Sequence, residues 1–296
     1  MRHATGTMAR PVDEGNARSG LAFLSAVPIA MLGGLIGLGG AEFRLPVLAG
    51  PLGYSVRSAV PLNLAVSMVT IVTAIAIRSR SLSLVPVQPY LPVIVALIAG
   101  AVVSAFAGTA LFGRLSDERL EQTILGLLLV IGVALVGEGL LPQDVPALLP
   151  AIPLIQIGAG VVFGLGIGLV SSLLGVAGGE IIIPTLIFAY GLDVKTAGTA
   201  SLLVSLPVVA VGIARHARRN SLSRKALIGT VAPMGVGSVI GAVLGGVFVG
   251  IVPPDMLKIG LGALLIVSAW RTFRRQTPHG HAHAAGREPL TETRAT

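Results

Sequence analysis

Two charged residues, Glu42 and Arg44, lie in a stretch whose other residues are apolar or glycine, GLGGAEFRLPVL at 37–48. A charge at the centre of a membrane helix costs about 2.5–3.5 kcal/mol on insertion scales, so it is normally retained with a partner or a function. A similar stretch, GVAGGEIIIPTL at 175–186, contains Glu180 but has Ile182 opposite Arg44. One positive charge beside two carboxylates indicates an anion-binding group. A desolvated glutamate favours its protonated form, so Glu42 or Glu180 could also carry a coupling proton.

The composition indicates that lipid surrounds most of the chain. The 296 residues are 53% hydrophobic and 11% charged, against about 25% charged for a soluble protein. The net charge of +8 then fits orientation in a membrane better than nucleic-acid binding. There is no cysteine, which excludes disulfides and thiol chemistry, and no phosphate-binding loop G-x-x-x-x-G-K-[ST], which argues against ATP hydrolysis by this chain.

Apolar runs of about 20 residues predict membrane-spanning helices. Eight such runs are present, at Leu21–Leu38, Val60–Ile77, Pro92–Phe112, Leu120–Leu140, Pro153–Leu174, Ala197–Ile213, Leu227–Val249 and Leu257–Phe273.

The chain also repeats itself, because residue 37 aligns with residue 175 and the same offset of 138 aligns many later residues. Identical pairs include Gly37 with Gly175, Gly40 with Gly178, Glu42 with Glu180, Pro46 with Pro184, and Ser67 with Ser205. We therefore expect an all-α polytopic membrane protein of two homologous four-span halves, at residues 20–141 and 153–275. A linker at 142–152 joins the halves, and the tails 1–19 and 276–296 are expected to be disordered.

Glycine and proline disfavour helix, so the segments Gly37–Pro46 and Gly175–Pro184 are predicted to break spans 1 and 5. Paired interruptions in corresponding positions of two halves point to the central site of a transporter. In an extended stretch, Glu42 and Arg44 would project to the same side. The predicted substrate-binding residues are Arg44, Asn63, Ser67, Thr199, Ser201, Ser205, Gly39, Gly40, Gly178 and Gly179. The alternatives are a solvated salt bridge at headgroup level, and polar residues that only bond helix to helix.

Lysine and arginine in short loops predict the cytoplasmic side. The basic segment RHARRNSLSRK at 215–225 and the pair Arg78 and Arg80 after span 2 favour the same side for both loops, with both termini cytoplasmic and the two halves pointing the same way. The loop Glu138–Pro150 fits this poorly, because it should be cytoplasmic yet has no basic residue. If the Gly–Pro segments are re-entrant hairpins, the parity changes and the halves are inverted.

These motifs resemble the sulfite exporter TauE/SafE family of membrane transporters. The second half carries the resemblance best, in GVAGGEIIIP at 175–184 and AGTAS at 197–201, whereas the first half has AVPLN at 59–63. The resemblance implies a secondary transporter of a small sulfur-containing anion such as sulfite or an organosulfonate, in the inner cell membrane. We expect no enzymatic activity, cofactor or metal site, because only five histidines exist and four of them lie in the tails, and HGHAH at 279–283 is read as part of a polar tail.

The expected partners are a small anion, membrane lipid and a possible second copy of the chain, without nucleic acid. A cation bound by the two glutamates is the alternative substrate. A membrane-embedded enzyme and a non-transporting scaffold are less favoured.

Overall fold

The computed structural model describes residues 12–111, 146–174, 176–218 and 224–275, together with residues 129, 133 and 136. Over these residues the secondary structure is helical. The helices are α1 (Val12–Ile36), α2 (Ala41–Ala49), α3 (Val56–Ser81), α4 (Leu91–Leu111), α5 (Pro153–Leu174), α6 (Gly179–Tyr190), α7 (Val194–Arg218), α8 (Ala232–Phe248) and α9 (Pro254–Arg275). A 3₁₀ turn, Val85–Tyr90, precedes α4, and a π-helical stretch, Leu227–Val231, leads into α8.

Six of the described helices are long and apolar enough to cross a membrane: Arg18–Ile36, Ser58–Ser81, Val85–Phe106, Pro153–Ser172, Val194–Arg218 and Arg224–Phe248. The predicted span Leu120–Leu140 lies almost wholly outside the described residues. The predicted span Leu257–Phe273 lies within α9, which is not among the six. Helix α1 begins at Val12, so the expectation of disorder up to residue 19 is wrong for residues 12–19.

The predicted Gly–Pro breaks are shorter than expected. Helix α1 ends at Ile36 and α2 begins at Ala41, so the first break is residues 37–40; the second break is residues 176–178 of the described chain. Gly40 (φ 73°) and Gly178 (φ 78°) adopt a left-handed conformation, which glycine allows without a Cβ clash, and a helix restarts directly after each. The prediction of non-helical chain up to the prolines is therefore wrong.

Both prolines lie inside the restarted helices, Pro46 in α2 and Pro184 in α6. A proline in a helix withholds one N–H, here the donor for the carbonyl four residues earlier, which belongs to Glu42 or Glu180. Membrane helices tolerate this lost hydrogen bond, because neighbouring helices can satisfy the freed carbonyl. Because α2 is helical, Glu42 and Arg44 do not project to the same side as an extended segment would place them.

The chain doubles back at each break. A methyl group placed on Gly40 would lie 2.9 Å from Cγ2 of Ile29, and one placed on Gly178 would lie 3.1 Å from Cγ2 of Ile167. Both isoleucines lie well before the ends of their helices, α1 and α5. Helices α2 and α6 therefore return along α1 and α5, and each break is the tip of a hairpin.

Helices α3 and α7 occupy matching positions of the sequence repeat but run antiparallel. Near the end of α3, Arg78 bonds to Thr199 in the second turn of α7. Near the beginning of α3, Leu64 contacts Gly212 near the end of α7. The prediction that the halves point the same way is therefore wrong for these two helices. The physical reason is the pair of hairpins, which changes the parity of crossings.

Close helix pairs join the two halves crosswise. Methyl groups on Gly237, Gly241 and Gly245 of α8 would overlap the backbone carbonyls of Phe23, Val27 and Met31 of α1, in the same order along both helices. Helices α1 and α8 are therefore parallel neighbours with backbones in contact.

Helices α4 and α5 pack in the same way. Methyl groups on Gly164 and Gly168 of α5 would overlap the carbonyls of Leu97 and Ala101 of α4, and Ser104 is buried against Gly168. The first helix of each half thus packs on the helix that corresponds to the third predicted span of the other half.

Candidate functional site

The two breaks meet between α3 and α7. A methyl group on Gly179 would lie 3.0 Å from Cα of Leu38, and one on Gly39 would lie 3.7 Å from Cβ of Ala177. The first break also presses on α7, because a methyl group on Gly37 would overlap the backbone of Gly198. Residues from both halves therefore build one central region, as the paired interruptions of the sequence predicted.

Two helix N-termini lie at this meeting point. In α6 the first helical hydrogen bonds run from the N–H groups of Ile181 and Ile182 to the carbonyl of Gly178. The N–H groups of Gly179 and Glu180 come before these bonds and have no acceptor within the helix. Helix α2 begins in the same way after Gly40. The unsatisfied N–H groups and the dipole of each helix make its N-terminus partly positive, which favours an anion.

Arg44 projects from α2 into the angle between the first break and α3 and is fully buried. Its Nη1 donates to Oγ of Ser67 at 2.9 Å and Oδ1 of Asn63 at 3.4 Å. Its Nη2 donates to Oγ1 of Thr70 at 3.1 Å and to the Gly39 carbonyl at 3.3 Å. We name these five residues the Arg44 cluster. All four acceptors are uncharged. Glu42 interacts with the guanidinium through its charge, but no hydrogen bond to that carboxylate is present within the described part of the chain.

The Arg44 cluster brings together four predicted substrate-binding residues, Arg44, Asn63, Ser67 and Gly39, and adds Thr70. The two Nη atoms are occupied by protein oxygens, so the bidentate edge of the guanidinium is not open to a ligand in this state. Nε is buried without a hydrogen-bond partner among the described residues. Asn63 also donates from Nδ2 to the Ala41 carbonyl at 3.0 Å, which ties α3 to the first residue of α2.

The two glutamates stand in the first turns of α2 and α6. Within the described residues, both carboxylate oxygens of Glu42 and Oε1 of Glu180 are buried without a hydrogen-bond partner. Burying a carboxylate without hydrogen bonds is costly, and a proton or a bound ligand would offset that cost. Glu42 and Arg44 attract each other electrostatically, but no hydrogen bond joins them in the part of the chain that the structure describes, because the helix turns the two side chains to different sides.

The second half repeats this arrangement without the arginine. Ser205, the counterpart of Ser67, donates to the Ala177 carbonyl at 3.0 Å, and Ala177 is the counterpart of Gly39. Ser201, the counterpart of Asn63, is fully buried with its Oγ unpartnered among the described residues. This Oγ would lie 3.2 Å from a methyl group on Gly179, so it faces the start of α6.

Sequence reasoning missed Arg78, which it read as a loop residue. Arg78 is fully buried in α3, where Nε donates to the Gly34 carbonyl at 3.0 Å and Nη2 to the Leu35 carbonyl at 2.8 Å. Its Nη1 donates to Oγ1 of Thr199 at 2.9 Å and to the Lys195 carbonyl at 3.3 Å.

Arg78 therefore satisfies the last carbonyls of α1 and joins them to α7. Thr199, a predicted substrate-binding residue, is engaged in this contact and donates to the Lys195 carbonyl at 2.9 Å. An arginine near the end of an apolar run also fits a loop, so the sequence held no signal for this role.

The broken apolar helices, the meeting breaks and the buried guanidinium are the features of a multi-pass membrane transporter. The sequence profile described as "Sulfite exporter TauE/SafE" matches residues 3–135 and 146–295. The chain belongs to the sulfite exporter TauE/SafE family, and the resemblance read from the glycine motifs is confirmed. No curated protein and no solved structure shows a significant match to the chain.

Proposed function

We propose that the protein is a secondary transporter of a small sulfur-containing anion, such as sulfite or an organosulfonate, and that the anion binds where the two breaks meet. The observation that carries this proposal is the buried guanidinium of Arg44, whose hydrogen-bond acceptors in the described chain are all neutral oxygens. Glu42 lies within electrostatic reach of this guanidinium but does not bond to it, so the buried charge has no hydrogen-bonded counterion among the described residues. Two helix N-termini at the same place add partial positive charge. Membership of the family supports the substrate class.

The donors proposed for the anion are those that protein oxygens leave open. They are Nε of Arg44, Oγ of Ser201, and the first N–H groups of α2 and α6, next to Gly40 and Gly178. Ser67, Ser205, Asn63 and Thr199 act one step further out, because their side chains bond to Arg44, Ala177, Ala41 and Arg78.

We propose that a proton accompanies the anion. With both glutamates ionised, Glu42, Glu180 and Arg44 together carry one net negative charge, which would repel an anion. Protonation of one glutamate makes this set neutral, and protonation of both makes it positive. Anion binding therefore favours proton uptake at Glu42 or Glu180, and the two would cross the membrane together.

The proposed architecture is eight spans in two inverted halves. Support comes from antiparallel α3 and α7 and from the two hairpins. Ser19 in α1 bonds to the Gly229 carbonyl before α8, which places the N-terminal side with the basic segment 215–225. We propose that this side is cytoplasmic and holds both termini, in a cell membrane. The 146–156 region then lies at the opposite end, near Tyr190, which explains why the loop before α5 lacks basic residues.

Exchange assays with purified protein in liposomes test the function. The panel is sulfite, thiosulfate, organosulfonates and carboxylates, at several pH values, with empty liposomes and an Arg80→Ala variant as controls, because Arg80 is exposed at the end of α3. We expect exchange of at least one sulfur anion, loss of its binding in Arg44→Ala, and no change in Arg80→Ala. Unaltered substrate affinity in correctly folded Arg44→Ala would exclude the anion site.

A cation substrate is the second candidate, because three carboxylate oxygens of Glu42 and Glu180 are buried without partners among the described residues. The same liposomes distinguish the two. A cation substrate would be exchanged without any sulfur anion, and its binding would be lost in Glu42→Gln or Glu180→Gln while Arg44→Ala retained it.

A further inference from the structure

The four oxygens around Arg44 form a cage for one positive charge. The cage has a backbone carbonyl at a helix break (Gly39), an amide oxygen (Asn63) and two hydroxyls (Ser67 and Thr70), at 2.9–3.4 Å from the guanidinium nitrogens. Neutral carbonyl and hydroxyl oxygens are the ligands that small monovalent cations take in membrane proteins. In transporters with broken helices, the unwound backbone is a common place for a coupling cation.

The cage exists only at the first break of the described chain. At the second break, Ile182 stands where Arg44 would be and Val208 where Thr70 would be, and both are buried apolar residues. Two of the remaining counterparts bond to each other, since Ser205 donates to the Ala177 carbonyl, and the third, Ser201, has no hydrogen-bond partner for its Oγ among the described residues. The arginine and one of the four cage oxygens are therefore replaced by apolar residues in the other half, and the complete set of four oxygens occurs only where the arginine is present.

We propose that the Arg44 cluster is a monovalent-cation site occupied by the protein's own guanidinium. The tethered charge does at the first break what a bound Na⁺ would do: it joins the unwound backbone to α3 and supplies one positive charge. Two consequences follow. Transport by the wild-type protein needs no Na⁺, and removal of the Arg44 side chain leaves a site that a free guanidinium ion or Na⁺ fills. This proposal goes beyond anion transport and holds whichever anion is carried.

Thermal unfolding of purified Arg44→Ala tests the site directly. The protein is heated with increasing guanidinium chloride at millimolar concentration, with NaCl, or with choline chloride at matched ionic strength. We expect a saturable rise of several degrees in the midpoint with guanidinium, a smaller rise with Na⁺ and none with choline, because a ligand stabilises only the folded state that binds it. Wild-type protein and Arg80→Ala should show no such rise, and an equal response of all three proteins overturns the proposal.

A second measurement uses the wild-type protein alone, so it does not depend on the folding of a variant. Substrate exchange by the wild-type protein is compared in NaCl and choline chloride, and equal rates are expected. Loss of exchange in choline overturns the proposal, because a free cation would then still be required. The unfolding assay does not use the transported anion, so failure of the anion proposal and failure of the cation cage give separate results.

Discussion

Gly37 and Gly198 pack backbone against backbone, at the point where the first break touches α7. A methyl group on Gly37 would overlap the Gly198 carbonyl, and one on Gly198 would overlap the Ile36 carbonyl and lie 3.0 Å from Nη1 of Arg78. Gly37 also has φ 100°, which only glycine adopts without strain. The contact leaves no room for a side chain on either residue.

Substitution of these glycines by alanine should separate crowding from strain. Gly198→Ala introduces crowding alone and should lower the free energy of unfolding by about 1–3 kcal/mol. Gly53→Ala is the matched control for strain, since Gly53 has φ 68° with nothing within 4 Å of an added methyl group, and about 1 kcal/mol is expected. Gly37→Ala combines both costs and should be the least stable in denaturant titrations of purified protein. A wild-type stability for Gly198→Ala would contradict the close contact.

Removal of the Arg78 side chain should separate α1, α3 and α7 at one end. Arg78→Ala leaves the Gly34 and Leu35 carbonyls without their donor, and we expect a loss of about 3 kcal/mol or more in stability. The stability of Arg78→Lys should lie between those of the wild-type protein and Arg78→Ala, because an ammonium has three donors for the four acceptors that the guanidinium reaches. Arg80→Ala, an exposed site on the same helix, should be neutral. Equal unfolding midpoints for Arg78→Ala and Arg80→Ala would refute the role.

Inversion of the halves predicts opposite labelling of two exposed arginine positions. The chain has no cysteine, so single cysteines report their own side of the membrane. Arg80→Cys, at the end of α3, and Arg218→Cys, at the end of α7, should react with an impermeant maleimide from opposite sides in oriented vesicles. Permeabilised vesicles should label both. Labelling of both from one side would show that α3 and α7 run the same way.

Replacement of each glutamate by glutamine should identify the proton carrier. Wild-type proton-coupled uptake should fall as pH rises, because the deprotonated carboxylates repel the anion. Glu42→Gln and Glu180→Gln each remove one titrating group. In the variant that has lost the proton carrier, the uptake rate should not change with pH, while exchange at fixed pH persists. Rates are measured on size-checked protein over a range of pH. If both variants keep the wild-type profile, the proton is carried elsewhere or not at all.

The sequence predicted where the helices break better than how the chain continues. Gly37, Gly39 and Gly40 place the first break correctly, and the repeat pairs Ser67 with Ser205, each of which bonds beside a break. Proline was given too much weight, because Pro46 withholds only one hydrogen bond and neighbouring helices support the rest of α2. Arg44, Asn63 and Ser67 could be grouped from their spacing, but Thr70 could not be distinguished from other small polar residues of α3.

The relative orientation of the two halves could not be predicted from the basic residues. The rule that lysine and arginine mark cytoplasmic loops depends on knowing which residues lie in loops. Arg78 was counted as a loop charge, yet it is buried against the end of α1. Its contacts are made to residues 34, 35, 195 and 199, which are distant in sequence. No local pattern encodes such a contact.

The crosswise pairing of α1 with α8 has a consequence for biogenesis. Phe23 packs on Gly237, so more than two hundred residues must be synthesised before the first helix meets its partner. At about 5–20 residues per second, this delay is roughly 10–40 s. During that time lipid contacts the surface of α1 that Gly237, Gly241 and Gly245 later cover. Neither half is expected to assemble when expressed alone, whereas the two halves expressed together as separate chains can still find each other.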